Sequence, residues 1–191
     1  MDRIETYGAL AALFEYPGED YPARLAQCEQ SVRSAESDAA ALLGQFAEAT
    51  AGLTTEALQE LFTQSFDLNP ACVLDLGWHL FGEQYERGEF LVKMRGLLRR
   101  AGVQESQELP DHLTHVLRLL GRMEPEEVEE FAAACVFPAL DKARAGLGDA
   151  GNPFALLLDA TIRWLECQYP RCEEAAVPAP RLPVWNGRSF Q

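Results

Sequence analysis

Apolar residues recur along this chain at intervals of three and four, the spacing of an amphipathic helix, as far as about residue 168. Ile4, Tyr7, Leu10, Ala11 and Phe14 share one face of a first helix, which Pro17-Gly18 ends. A second helix is expected from near Asp20, with Pro22 in its first turn and Leu25, Cys28 and Val32 along its apolar stripe. Ser37-Asp38 reads as the cap of a third, which carries Ala41, Leu42, Gln45 and Phe46 and stops at Gly52. Thr54-Thr55-Glu56 opens a fourth, bearing Leu58, Leu61, Phe62, Ser65 and Phe66, before Asn69-Pro70 breaks the pattern. Residues 73–85 read as an aromatic-rich helix, Arg87-Gly88 as a bend, and residues 90–98 as a helix closed by Gly102. Leu109, Leu113, Val116, Leu117 and Leu120 stripe the next, with Asp111 in a first turn begun by Pro110. Glu124-Pro125 opens another, in which Pro138 is expected to force a kink or break. Asn152-Pro153 opens the last, with Phe154, Leu157, Leu158, Ile162 and Leu165.

No segment alternates with period two. The expectation is an all-α, single-domain helical bundle of about eight to ten helices over residues 1–169. Residues 170–191 read as an extended Pro-rich tail, punctuated by Pro170, Pro178, Pro180 and Pro183. Trp185 and Phe190 near its end would dock on the bundle or on a partner.

Length and composition narrow the picture further. A chain of 191 residues buries enough surface, roughly 70% of what its unfolded form exposes, to need neither disulfides nor metals. The net charge of −14 disfavours nucleic acid and anionic membrane surfaces. It serves either solubility or a basic partner, and both readings stay open. The five cysteines are odd in number and irregularly spaced, as expected in a reducing compartment. The N-terminus lacks a basic segment followed by an apolar run, and no stretch of eighteen uncharged apolar residues occurs. A cytoplasmic protein without stable membrane association is expected.

The search for chemistry yields little. No nucleophile elbow, dinucleotide fingerprint or P-loop is present. His112 and His115 stand at i, i+3, a spacing that suits two metal ligands, but no further ligands lie at a suitable distance in sequence. Arg87, Lys93, Arg95, Arg99 and Arg100 are the one basic cluster, either a grip for phosphate or a solvated helix face. Glu124, Glu126, Glu127, Glu129 and Glu130 offer either an attraction for a basic peptide or another solvated face. Leu76-Gly77-Trp78-His79-Leu80-Phe81-Gly82 is apolar on nearly every side, so it is either core or groove lining. Its two glycines soften a helix by about 1 kcal/mol each and permit another backbone to come close.

Several strings occur in a telling order: Phe14-Glu15-Tyr16-Pro17, then Phe66-Asp67-Leu68, then the Leu76-to-Phe81 aromatic stretch, Tyr85-Glu86-Arg87-Gly88 with Leu91, and Glu108-Leu109-Pro110-Asp111-His112-Leu113. Together, over roughly residues 4–168, they resemble the NarJ branch of the TorD/DmsD-type redox-enzyme maturation chaperones. The resemblance implies an all-α fold, no catalysis and no metal or cofactor bound stably. It implies a partner, the catalytic subunit of a molybdenum oxidoreductase, caught by its leader peptide or in its apo form, with at most transient contact with the molybdenum cofactor. Such a peptide docks in a groove with aromatic anchors and a few polar groups. The expected client-binding residues are Phe66, Asp67, Trp78, Phe81, Tyr85, Arg87, Gly88, Leu109, Pro110, Asp111 and His112. Replacing Asp111 or His112 by alanine is expected to weaken client maturation with little loss of stability. Two other readings remain. One is a small metal- or nucleotide-dependent enzyme using His112, His115 and the Arg87-to-Arg100 cluster. The other is a generic helical interaction module. A monomer that also dimerises is expected, with Arg87-Gly88 or residues 103–108 as hinges.

Overall fold

The computed structural model describes residues 2–33, 37–148 and 151–171. Among them ten α-helical segments appear and no strand: α1 (Arg3–Ala12), α2 (Tyr21–Arg33), α3 (Ser37–Thr50), α4 (Thr55–Phe62), α5 (Leu76–Phe81), α6 (Tyr85–Ala101), α7 (Leu113–Leu120), α8 (Pro125–Phe131), α9 (Phe137–Leu147) and α10 (Phe154–Gln168). The all-α bundle is as expected. The Pro-rich tail, with Trp185 and Phe190, lies outside the described residues apart from Pro170 and Arg171.

Local chemistry explains the helix ends. Asp2 closes a capping box on α1, accepting from Ile4 N–H while Glu5 reaches back to the Asp2 amide. Thr54 caps α4 through Ala57 N–H. Gly102 takes a left-handed conformation (φ 65°) that lets Val103 N–H reach Leu98 O at 2.9 Å and closes α6. Asn152 accepts from Phe154 N–H at the start of α10 and donates to Ser65, tying α10 to the π extension of α4 over Thr63–Asp67.

Three boundaries differ from the sequence expectation, each for a physical reason. The aromatic helix is only α5, six residues, because Gly82 at φ 57° ends it. Gln84 then starts α6 in extended backbone, so the break falls before Tyr85. Arg87-Gly88 is no bend, nor a hinge, since it lies inside the first turns of α6. Pro138 does not interrupt the helical run. It falls at the start of α9, just after a π turn over Ala132–Val136 in which Phe137 N–H reaches back to Ala132 O. The wider turn takes up the amide that proline lacks, and α8, the π turn and α9 follow one another without a gap.

The core is built on aromatic rings. Phe14, Phe46, Phe62, Phe66 and Phe154 come from five different elements and meet at centroid distances of 5.0–6.4 Å. On the other flank Tyr7 stacks edge-on against Trp164 at 4.6 Å, and its hydroxyl meets that of Tyr169. Residues 69–72 are laid down on α9: Asn69 donates to Gly146 O, and Trp78 Nε1 donates to Pro70 O. The approach leaves no room at Gly146, where a Cβ would overlap the Ala71 carbonyl. Gly146→Ala should therefore destabilise the fold by about 1–3 kcal/mol, the usual cost of overpacking, as measured by urea denaturation.

Candidate functional site

The loop before α5 and the loop before α7 cross as a single antiparallel bridge, Asp75 against His112. Leu76 N–H donates to Asp111 O at 3.1 Å and Leu113 N–H to Leu74 O at 2.8 Å. Asp111 is fully buried at this crossing, and its Oδ2 accepts from Gly77 N–H at 2.7 Å. Only glycine suits position 77, because a Cβ there would sit 2.6 Å from that carboxylate oxygen and 3.0 Å from Phe90. The close backbone approach expected from the glycine is thus made within the chain. Asp75 lies beside Asp111 and pairs with Arg87 at 3.3 Å, while the Arg87 guanidinium covers the Trp78 ring at 5.4 Å. Burial, then the neighbouring Asp111 carboxylate, push Asp75 up to about 6 against the pull of Arg87. Burial also raises Asp111, against the Gly77 amide and Arg87.

His112 is the N-cap of α7. Its Nδ1 accepts from Thr114 N–H at 3.3 Å and lies 2.8 Å from the Thr114 hydroxyl. Burial, then the nearby His115 and Arg118, lower its pKa to about 4, so the ring is neutral and serves as an acceptor. The buried His115 donates from Nδ1 to Leu109 O and accepts at Nε2 from Ser106 N–H, which fixes the loop before α7. Both histidines are engaged in holding backbone. No group of three or more His, Cys, Asp or Glu among the described residues is placed to hold a metal.

Above this crossing opens a cleft of about 390 Å³. Phe14, Glu15 and Tyr16 line it from beyond α1, Phe62 and Asp67 from α4 and its π extension, Ser106 and Glu108 from the loop, and His112, Thr114 and Arg118 from α7. Apolar side chains in it and next to its lining residues are open to solvent. Tyr16 is 55% exposed, resting edge-on against Phe62, while Leu68 beside Asp67 is 71% and Leu109 beside Glu108 is 42% exposed. Three carboxylates, Glu15, Asp67 and Glu108, line it with one guanidinium, Arg118; Glu15 pairs with Arg118 and, at 3.5 Å, with Arg24, so the negative excess rests on Asp67 and Glu108.

The predicted site residues divide between frame and lining. Asp67 and His112 are brought together at the cleft, and Leu109, exposed, is the sequence neighbour of its lining residue Glu108. Phe66 and Phe81 are core residues, 2% and 7% exposed, packed on other rings. Pro110 and Asp111 are buried outside α7, not in its first turn. Trp78 and Arg87 stack on each other away from the cleft lining, and Tyr85 and Gly88 lie on the outer surface of α6. The basic cluster is dispersed: Arg87 turns inward, Arg95 pairs with Glu105, and Arg100 with Glu127. Glu15, Tyr16, Glu108 and Arg118 were not singled out as site residues. Glu15, Tyr16 and Glu108 nonetheless lie in strings that carry the resemblance, while Arg118 shows no signal beyond its polar place in an apolar helix.

Helical packing, a solvent-open apolar cleft with surplus carboxylates, and histidines spent on backbone together define an all-α binding protein. Comparison with known proteins gives the class its family. A family model described as nitrate reductase delta subunit matches residues 30–158, and the chain belongs to that family. A Bacillus subtilis (strain 168) protein named probable nitrate reductase molybdenum cofactor assembly chaperone NarJ is 29% identical over 127 residues, 65% of this chain and 69% of that protein. The nitrate reductase molybdenum cofactor assembly chaperone NarJ of Escherichia coli (strain K12) is 30% identical over 106 residues, 55% of this chain and 44% of its own length. The chain therefore matches less than half of the latter relative. A crystal structure from Archaeoglobus fulgidus, assigned there as a candidate redox enzyme maturation protein, superimposes with a TM-score of 0.60 at 21% identity, over 85% of this chain and 93% of that one. This family is one of chaperones rather than enzymes.

The geometry reverses the expectation for Asp111. Asp111→Ala strands the Gly77 amide in the interior and should cost about 1–3 kcal/mol, whereas Asp111→Asn keeps an acceptor and should cost less; chemical denaturation separates them. His112 gives a pH signature. Its folded pKa, about 4, lies below the ordinary value of 6.5, so the unfolded chain takes up the proton first and stability is lost as pH falls from 6.5 to 4. Asp75, raised to about 6, works in the opposite sense below that pH. His112→Asn, which keeps a capping acceptor, should gain melting temperature relative to the parent progressively from pH 6.5 to 4.

Proposed function

We propose that this chain is a maturation chaperone that holds an apolar, basic segment of its client in the cleft between Tyr16, Asp67, Glu108 and Arg118. The client is the catalytic subunit of a molybdenum oxidoreductase of the nitrate-reductase type, bound by its leader peptide or in its apo form before cofactor insertion. The observation that carries this reading is a cleft that joins exposed Tyr16 to two carboxylates, Asp67 and Glu108, with the exposed Leu68 and Leu109 next to them in sequence. Aromatic and aliphatic anchors desolvate the client's apolar residues, and the carboxylates take its arginines or lysines. The family relatives, named as assembly chaperones for nitrate reductase, support the same reading.

The cleft does not suit the cofactor itself. A molybdopterin dinucleotide carries phosphate charge, and the carboxylate excess repels it. The chain therefore acts on the client polypeptide, and any meeting with the cofactor is transient and made while it enters the client. None of the described helices is long and apolar enough to cross a membrane, which fits a proposed cytoplasmic site of action before export or membrane docking.

Isothermal titration with leader peptides of molybdenum enzymes encoded beside this chain tests the reading. Micromolar binding that weakens with added salt is expected. Asp67→Lys combined with Glu108→Lys should weaken it at least about tenfold, roughly 1.4 kcal/mol, and Tyr16→Ala should weaken it without changing the salt slope. Absence of micromolar binding by every such peptide defeats the proposal.

A further inference from the structure

The outer surface of α6 carries a feature that the client cleft does not use. Tyr85 is 81% and Val92 71% exposed, the largest exposures among the large apolar side chains apart from Leu68, which equals Val92. At helical spacing Tyr85, Gly88, Val92, Gly96 and Arg99 fall on one stripe, opposite the buried Phe90, Met94 and Leu97. Glycine weakens a helix interior, yet nothing lies within 4 Å of where a Cβ would stand at Gly88 or Gly96. Neither glycine is needed for packing inside this chain, in contrast to Gly77 and Gly146. Both lower the surface on either side of Val92, so that a second backbone can come closer than the usual helix–helix separation.

Charge along α6 identifies the occupant. Its N-terminal half presents Glu86 and Glu89, its C-terminal half Lys93 and Arg99, while Arg95 and Arg100 are paired with Glu105 and Glu127. The helix's own dipole favours that order, but it does not call for exposed Tyr85 and Val92 or for the two glycines. A face that is acidic at one end and basic at the other complements itself when turned end for end. We infer that α6 is a homodimer surface, on which a second copy of this chain lays its own α6 antiparallel about a two-fold axis at Val92. In that register Val92 meets Val92 of the second copy, Gly88 lies opposite Gly96, and Tyr85 lies opposite Arg99, where a guanidinium covers an aromatic ring. Glu89 lies within reach of Lys93 along one flank. Among the described residues Glu89, Lys93 and Arg99 form no ion pair within the chain, so each is available. No exchange of elements is required, and the surface lies apart from the cleft lining. A peptide-binding result in either direction leaves it untouched.

Sedimentation equilibrium of the full chain across the micromolar range tests the inference. A concentration-dependent dimer is expected in the parent. Val92→Glu, which sets two like charges on the axis, should weaken it at least about tenfold with unchanged circular dichroism and melting temperature. Glu89→Lys should weaken it, and adding Lys93→Glu should restore it. In Val92→Cys, mild oxidation should give a bond between the two Cys at position 92, located by peptide mass spectrometry. A parent that stays monomeric throughout overturns the inference, as does a dimer indifferent to Val92→Glu and to the charge swap.

Discussion

Asp111 sets a fully buried carboxylate against the amide of Gly77, and most of the site is arranged around that contact. Burying such a group is costly unless its oxygens are met by donors. Here Oδ2 is met by a backbone amide that only a glycine can bring near enough, because any side chain would occupy the space of the oxygen, while Oδ1 has no hydrogen-bond partner. The contact locks the bridge between the α5 and α7 loops, and the bridge in turn sets the direction in which α7 leaves. His112 caps α7 from its place in the bridge, and Arg118, nearly two turns on, reaches the cleft to pair with Glu15. One side-chain-to-backbone bond thus connects the α5 end of the bundle to the wall of the binding cleft.

The crossing also gathers charge that the fold must accommodate. Asp75 and Asp111 are neighbours, with Arg87 as the shared cation and Trp78 beneath it. Burial raises both acids above their ordinary range, and the Asp111 carboxylate adds to the effect at Asp75. His112, on the same bridge, is held neutral by burial and by the nearby His115 and Arg118. Lowering the pH relieves the acids and strains the histidine, so the two effects oppose each other within a few ångströms. A site made of only one of these would be far more sensitive to acid.

Much of the fold was legible in the sequence because helical periodicity is a local signal. Helix starts at Thr54, Glu124 and Asn152 followed from cap and proline signals, and the stops at Gly52 and Gly102 from glycine. What was not legible depends on contacts distant in sequence. Gly77 reads as a softening residue until Asp111, thirty-four residues on, is seen against it. Pro138 reads as a helix breaker because the π turn that absorbs it has no signature in the apolar pattern. Arg87-Gly88 reads as a bend because a glycine suggests one, whereas the real break needs the positive φ of Gly82. Of the residues expected at a site, Asp67 and His112 lie in the lining of the cleft, while aromatic content alone could not separate buried Phe66 and Phe81 from the open Tyr16.

That division bears on what the family strings mean. Glu108-Leu109-Pro110-Asp111-His112-Leu113, the most distinctive of them, is mostly frame: Pro110 and Leu113 are buried, Asp111 holds Gly77, and His112 caps α7. Its contribution to binding is to place Glu108 in the lining of the cleft, with the exposed Leu109 next to it in sequence. The same holds for Phe66-Asp67-Leu68, where the phenylalanine anchors the core and the following two residues face outward. A string of this kind therefore marks a shared way of building the cleft more than a shared set of contacts. On the proposed reading, discrimination between clients falls to exposed side chains in and beside the cleft, Tyr16, Asp67, Leu68, Glu108 and Leu109, which the frame carries but which do not hold it together.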